Sequence, residues 1–141
     1  MPDSVVLVDT GPLVAFLNRG DRFHDWAVQQ LGGISGPLHT CEAVISEACF
    51  LLRRGGGDAG PVLELLDRGI VVPSFQLAAN TTRVASLMRR YEDQGISLAD
   101  ACIVRMSELS AGCLLLTLDS GFRVYRRNGR QVIPVAIPPG L

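Results

Sequence analysis

Short apolar runs alternate along the chain with stretches of helical spacing. Val5-Val6-Leu7-Val8, Ile70-Val71-Val72-Pro73 and Cys113-Leu114-Leu115-Leu116-Thr117 are runs of β-branched and aliphatic residues. Runs this short and this uniformly apolar predict strands covered on both faces, as in a parallel sheet with helices above and below. Pro37 to Thr40 predicts a further brief strand, and Val132 to Val135 a last one. Helices are expected over Pro12–Leu17, around His24–Leu31, over Glu42–Arg54, from Asp58–Pro61 to about Asp67, and over the long segment Gln76–Asp93. Their stops and starts are marked by Gly32-Gly33, Gly55-Gly56-Gly57, Pro61 and Gly95.

Within those helices the apolar positions define inward faces: Val44, Ala48, Leu51 and Leu52, then Val62, Leu63, Leu65 and Leu66, then Leu77, Val84, Leu87 and Met88. His24 is expected on the surface of its helix. Strands alternating with helices at this rhythm predict an α/β fold, a three-layer α/β/α sandwich around a central, mostly parallel sheet. With 141 residues, 48% of them hydrophobic, the chain is expected to form one domain, residues 1–141, large enough for a substantial core.

Composition narrows the chemistry. The net charge of −1 supplies no global field for a polyanion, so any nucleic acid must be met by local clusters. All 13 basic residues are arginine, which removes lysine-dependent phosphate loops and Schiff-base chemistry. Cys41, Cys49, Cys102 and Cys113 lack C-x-x-C spacing and sit among apolar neighbours, as reduced, packed thiols do. His24 and His39 are not paired with cysteine at zinc-ligand spacing. A cytoplasmic protein is expected, with neither a basic-plus-apolar leader nor a stretch of membrane-spanning length.

Four acids stand out by position. Asp9 and Asp119 each follow an apolar strand run, where ligand crevices of open α/β sheets lie. Glu47 lies at the edge of the buried stripe of its helix, and Asp100 sits one turn before Ile103 and Val104. Each has a plain structural explanation: Asp9 as a helix cap before Pro12, Glu47 as a partner of Arg53 or Arg54, Ser97 and Asp100 as a capping box, and Asp119 as a turn acid. Glu42, in the first turn of its helix, is read as complementing the helix dipole.

Convergence accounts for all four together. Two carboxylates about 4 Å apart repel by roughly 4 kcal/mol at an effective dielectric near 20, so four ionised ones call for a cation. Oxygen-only ligands suit Mg²⁺ or Mn²⁺. Arg123, Arg126, Arg127 and Arg130 crowd the segment after Asp119 and are candidates to grip phosphates, with Phe122 or Tyr125 candidates to stack on a base.

The Val-Asp-Thr opening, Glu47 in Ile-Ser-Glu-Ala, Ser-Leu-Ala-Asp-Ala around Asp100 and Leu-Thr-Leu-Asp around Asp119 resemble the PIN-domain nucleases, which include the VapC-type toxins of toxin-antitoxin pairs. The resemblance runs over nearly the whole chain, with the motifs in order. It implies a Mg²⁺- or Mn²⁺-dependent endonuclease, usually acting on RNA, with Asp9, Glu47, Asp100 and Asp119 on the acidic metal site. Thr10 and Thr117 fall on its hydroxyl positions, and Ser97 stands where many relatives carry a further acid. A homodimer and a small antitoxin partner are also implied for the toxin members. A stand-alone RNA-processing nuclease and a catalytically silent PIN-fold binding module are the alternative readings. Receiver and haloacid-dehalogenase-like phosphotransfer domains are disfavoured, since both normally need a lysine and the latter a second Asp where this chain has Gly11.

Overall fold

A computed structural model describes residues 5–141. The N-terminal end, on which the expectation of no leader partly rests, lies outside the described residues. The apolar runs form one five-stranded sheet in which every neighbouring pair is parallel, in the order β3-β2-β1-β4-β7. Its members are β1 (Val5–Val8), β2 (Leu38–Thr40), β3 (Val71–Pro73), β4 (Cys113–Leu116) and β7 (Val135–Ala136). Leu7, Val8, Leu115 and Leu116 are almost wholly excluded from solvent, as central strands covered on both faces must be.

The helices that cover the sheet are α1 (Thr10–Leu17), α2 (His24–Gly32), α3 (Glu42–Arg54), α4 (Gly60–Asp67), α5 (Thr81–Arg90) and α6 (Leu98–Leu109). The result is the expected α/β/α sandwich, with α1 packed against α2 and α3, and α5 against α6. The α3 and α6 helices also touch, and the Cys41 thiol just before α3 is pushed up by the neighbouring Cys102 thiol of α6 and by burial. All four cysteines are free thiols. Among the described residues no helix is long and apolar enough to cross a membrane.

The order of the strands matters for function. From β1 the chain moves outward to β2 and β3, then crosses back to place β4 on the other side of β1. The point where that direction reverses lies between β1 and β4, and in open parallel sheets a crevice opens there at the carboxyl ends. Val8 and Leu116 are partners in the register, so Asp9 and Thr117 leave the sheet side by side.

Four expectations are corrected by the structure. The Gln76–Asp93 segment is not one helix: a 3₁₀ turn over Leu77–Ala79 precedes α5, and a second over Glu92–Gln94 follows it. Asn80 makes the break, its side chain donating to Gln76 O at 2.8 Å and accepting from Arg105 at 2.9 Å, and Leu77 ends exposed. The Val132–Val135 strand is split, because Pro134 has no N–H for a ladder. Gln131–Val132 (β6) pairs antiparallel with Arg126–Arg127 (β5) in a separate hairpin, and β7 joins the main sheet. Leu63 faces solvent, as α4 buries only Val62 and Leu65 fully. His24 is half-buried, its Nδ1 bonded to Ala15 O at 2.7 Å, so it ties α2 to α1.

Candidate active site

Asp9 stands in the N-cap position of α1 but does not cap it with its side chain. Instead Asp9 Oδ2 accepts the Thr117 hydroxyl at 2.8 Å, across 108 residues of sequence. The same Thr117 oxygen accepts the Asp119 backbone N–H at 3.0 Å, so one buried hydroxyl fixes both strand-end acids. Asp119 Oδ1 in turn accepts the Gly121 N–H at 2.8 Å. Gly121 leaves room for this bond: a Cβ there would lie 3.0 Å from Asp119 Oδ1, which would have to shift.

Asp100 enters from α6. The capping box read from the sequence forms, with Asp100 N–H donating to Ser97 Oγ at 3.0 Å and Ser97 N–H to Asp100 Oδ2 at 3.4 Å. Capping does not consume the group, because Asp100 is half-buried, feels the charge of Asp119 and is felt by Asp9. Tyr125 OH also donates to Asp100 Oδ2, at 3.4 Å.

Electrostatics record this proximity. Asp9, only 6% exposed, has its pKa pushed up to about 7, chiefly by burial. The Thr10 backbone N–H and the Thr117 hydroxyl oppose that rise, and the charges of Asp100 and Asp119 add to it. Asp100 is also raised, by burial first, against the Ser97 backbone N–H, and then by Asp119. Tyr125 is pushed up by burial and by the same carboxylates. Acids raised by burial and by a neighbouring carboxylate are a mark of functional sites. Among the described residues no three His, Cys, Asp or Glu side chains converge closely enough to hold a metal ion as they stand.

The donor chemistry nonetheless fits a hard divalent cation. Every polar side chain named at this edge offers oxygen, and Thr10 Oγ1, next in the chain to Asp9, is buried without any hydrogen-bond partner. A hydrated Mg²⁺ or Mn²⁺, which engages one or two carboxylates directly and others through water, suits acids that sense one another without touching.

The remaining sequence candidates are placed as follows. Glu47 is exposed on α3 and makes neither hydrogen bond nor ion pair among the described residues, so the pairing with Arg53 or Arg54 is not observed. Arg123 donates to the Leu141 carbonyl, and Arg127 to that of Ser110. Arg126 Nη1 serves the carbonyls of Arg123, Val124 and Tyr125. Arg130 is exposed. Phe122 and Tyr125 are buried and do not present a face to a base, a correction to the stacking expectation. They pack edge to face on each other at 5.3 Å, and Tyr91 does the same to Tyr125 at 5.0 Å.

Sequence reasoning named Tyr125 for its ring and missed its hydroxyl. Nothing local in the sequence signals a contact between residues 100 and 125. The Glu108 network was missed for the same reason. Its side chain is 1% exposed and takes Arg83 at 2.6 and 2.9 Å, Arg105 at 3.3 Å and the Asn128 N–H at 2.7 Å, clamping α5, α6 and the β5–β6 hairpin.

Comparison with known proteins agrees with this fold. The family model of the PIN domain matches residues 6–128, and the chain belongs to that family. Among solved structures it is similar to Mycobacterium tuberculosis VapC20, described as a Sarcin-Ricin loop cleaving toxin. The TM-score is 0.73 at 21% identity, over 92% of this chain and 99% of that one. No curated protein matches at a significant level.

Proposed function

We propose that the protein is a metal-dependent endoribonuclease, the toxin of a type II toxin-antitoxin pair. The observation that carries this reading is that Asp9, Asp100 and Asp119 come to the β1–β4 reversal from three different elements, with Asp9 burdened by the charges of the other two and Asp100 by that of Asp119. Membership of the PIN family and the likeness to a VapC toxin support it.

The three aspartates, with Glu47 as a fourth acid from α3, would hold Mg²⁺ or Mn²⁺. A bound ion of this kind supplies a water of lowered pKa and a polarised phosphodiester. Thr117 holds the Asp9 carboxylate in place by donating to Oδ2, and Ser97 does the same for Asp100 through its backbone N–H. Thr10 offers a buried hydroxyl beside them. Asp9, with its raised pKa, must release a proton before it can ligate, so the ion binds more tightly as pH rises toward neutrality. Arg123, Arg126 and Arg127 follow Asp119 in the chain and are assigned to the RNA backbone. Each guanidinium carries five N–H donors, more than its carbonyl bonds consume.

The test is RNA cleavage with Mn²⁺, with EDTA, and by Asp9→Asn. Cleavage that needs the ion and disappears in a folded variant is expected. Equal cleavage by Asp9→Asn would overturn the assignment, and a folded wild type without any cleavage would point to a silent binding module. The toxin role adds a small antitoxin, a homodimer and a cytoplasmic setting. Co-expression with the product of an adjacent small reading frame should suppress cleavage; failure of every such partner to do so would favour a stand-alone RNA-processing nuclease.

A further inference from the structure

We propose that Tyr125 is a positioning residue whose hydroxyl holds Asp100 Oδ2, leaving Oδ1 as the oxygen available to the divalent ion; this rests on the metal-dependent reading above. Both donors that reach the Asp100 carboxylate from outside its own helix, the Ser97 N–H and the Tyr125 O–H, fall on Oδ2 at 3.4 Å. Each bond is long, so neither alone fixes a carboxylate at the first turn of a helix. Together they restrict its rotation.

The tyrosine is itself held with little freedom. It is 3% exposed, wedged edge to face between Tyr91 and Phe122, and the Tyr91 hydroxyl accepts the neighbouring Arg126 N–H at 2.9 Å. Its hydroxyl also passes the one glycine beside Asp119: a Cβ on Gly121 would stand 3.5 Å from Tyr125 Oη and 3.0 Å from Asp119 Oδ1. A protonated phenol is the right group for this place. It donates a hydrogen bond without bringing a positive charge that would compete with the ion, as arginine would. Burial and the surrounding acids keep the proton on it.

Tyr125→Phe removes the donor and keeps the ring. Wild type, Tyr125→Phe, Tyr91→Phe and Asp100→Asn would be melted across a Mn²⁺ titration without RNA, and cleavage followed at low and at saturating Mn²⁺. Tyr125→Phe should require about fivefold more Mn²⁺ for half-maximal thermal stabilisation, the effect of one net hydrogen bond. Its kcat should drop at low Mn²⁺ and recover at saturation, with KM for RNA unchanged. Tyr91→Phe loosens the hairpin through Arg126 but leaves Asp100 its donor, so its Mn²⁺ midpoint should match wild type.

A Tyr125→Phe midpoint equal to wild type, while Asp100→Asn loses the response, would overturn the role of Tyr125 and leave the metal site standing. Equal midpoint shifts in Tyr125→Phe and Tyr91→Phe would also overturn it, by assigning the effect to hairpin docking. A wild type with neither Mn²⁺ stabilisation nor metal-dependent cleavage would overturn both readings.

Discussion

Asp9 is a carboxyl group that the fold makes costly to ionise. Its pKa rises from 3.8 in the unfolded chain to about 7 in the folded one. The folded state therefore binds the extra proton between those values, and the Asp9 contribution to metal-free stability is fully present below pH 3.8 and is lost as pH rises through about 7. At 1.36 kcal/mol per unit the loss is on the order of 4 kcal/mol. Asp9→Asn, which cannot ionise, should melt higher than wild type at pH 8 in EDTA and close to it at pH 5, as thermal melts at the two values would show. Thr117→Val should cost about 1–2 kcal/mol and most of the cleavage, because it strips a buried donor from Asp9 and an acceptor from the Asp119 N–H. Gly121→Ala should lower cleavage with little change in melting temperature, since its new methyl group presses on Asp119 Oδ1.

The elements differ in how openly the sequence announces them. The strands β1 and β4 and the helix α3 are readable to within a residue, because a buried parallel strand is apolar throughout and a helix stripe repeats locally. What could not be read is set by partners far away in sequence. The break at Asn80 depends on Arg105, and the split at Pro134 depends on which strands its two sides find. The acids Asp9, Asp100 and Asp119 were legible as strand-end and helix-start residues, whereas the braces from Thr117 and Tyr125 are side-chain bonds spanning 108 and 25 residues. Glu108 offers a test at this scale. Burial pushes its carboxyl up, but Arg83, the Asn128 N–H and Arg105 outweigh burial and hold it below the usual range. Glu108→Ala would leave two arginines without their shared partner and release the hairpin. A loss of about 2–4 kcal/mol is expected by denaturant titration.

At the scale of the molecule, the site aspartates and Glu108 pull stability in opposite directions along the pH axis. Asp9 and Asp100 weaken the metal-free protein as pH rises, while the stabilisation from Glu108 is lost as pH falls through its depressed value. A divalent ion relieves only the first effect. Mn²⁺ should therefore raise the melting temperature more at pH 8 than at pH 5.5, a difference that scanning calorimetry with and without EDTA would measure. An equal shift at both values would mean that the ion binds away from the aspartates.

The pairing of β1 with β4 has a consequence for a chain emerging from the ribosome. Asp9 is made 108 residues before Thr117, which anchors it, and Asp119 follows Thr117. Until β4 pairs with β1, the growing chain has made Asp9 without its anchor. Any chemistry that needs these acids together therefore waits on the pairing of β4 with β1.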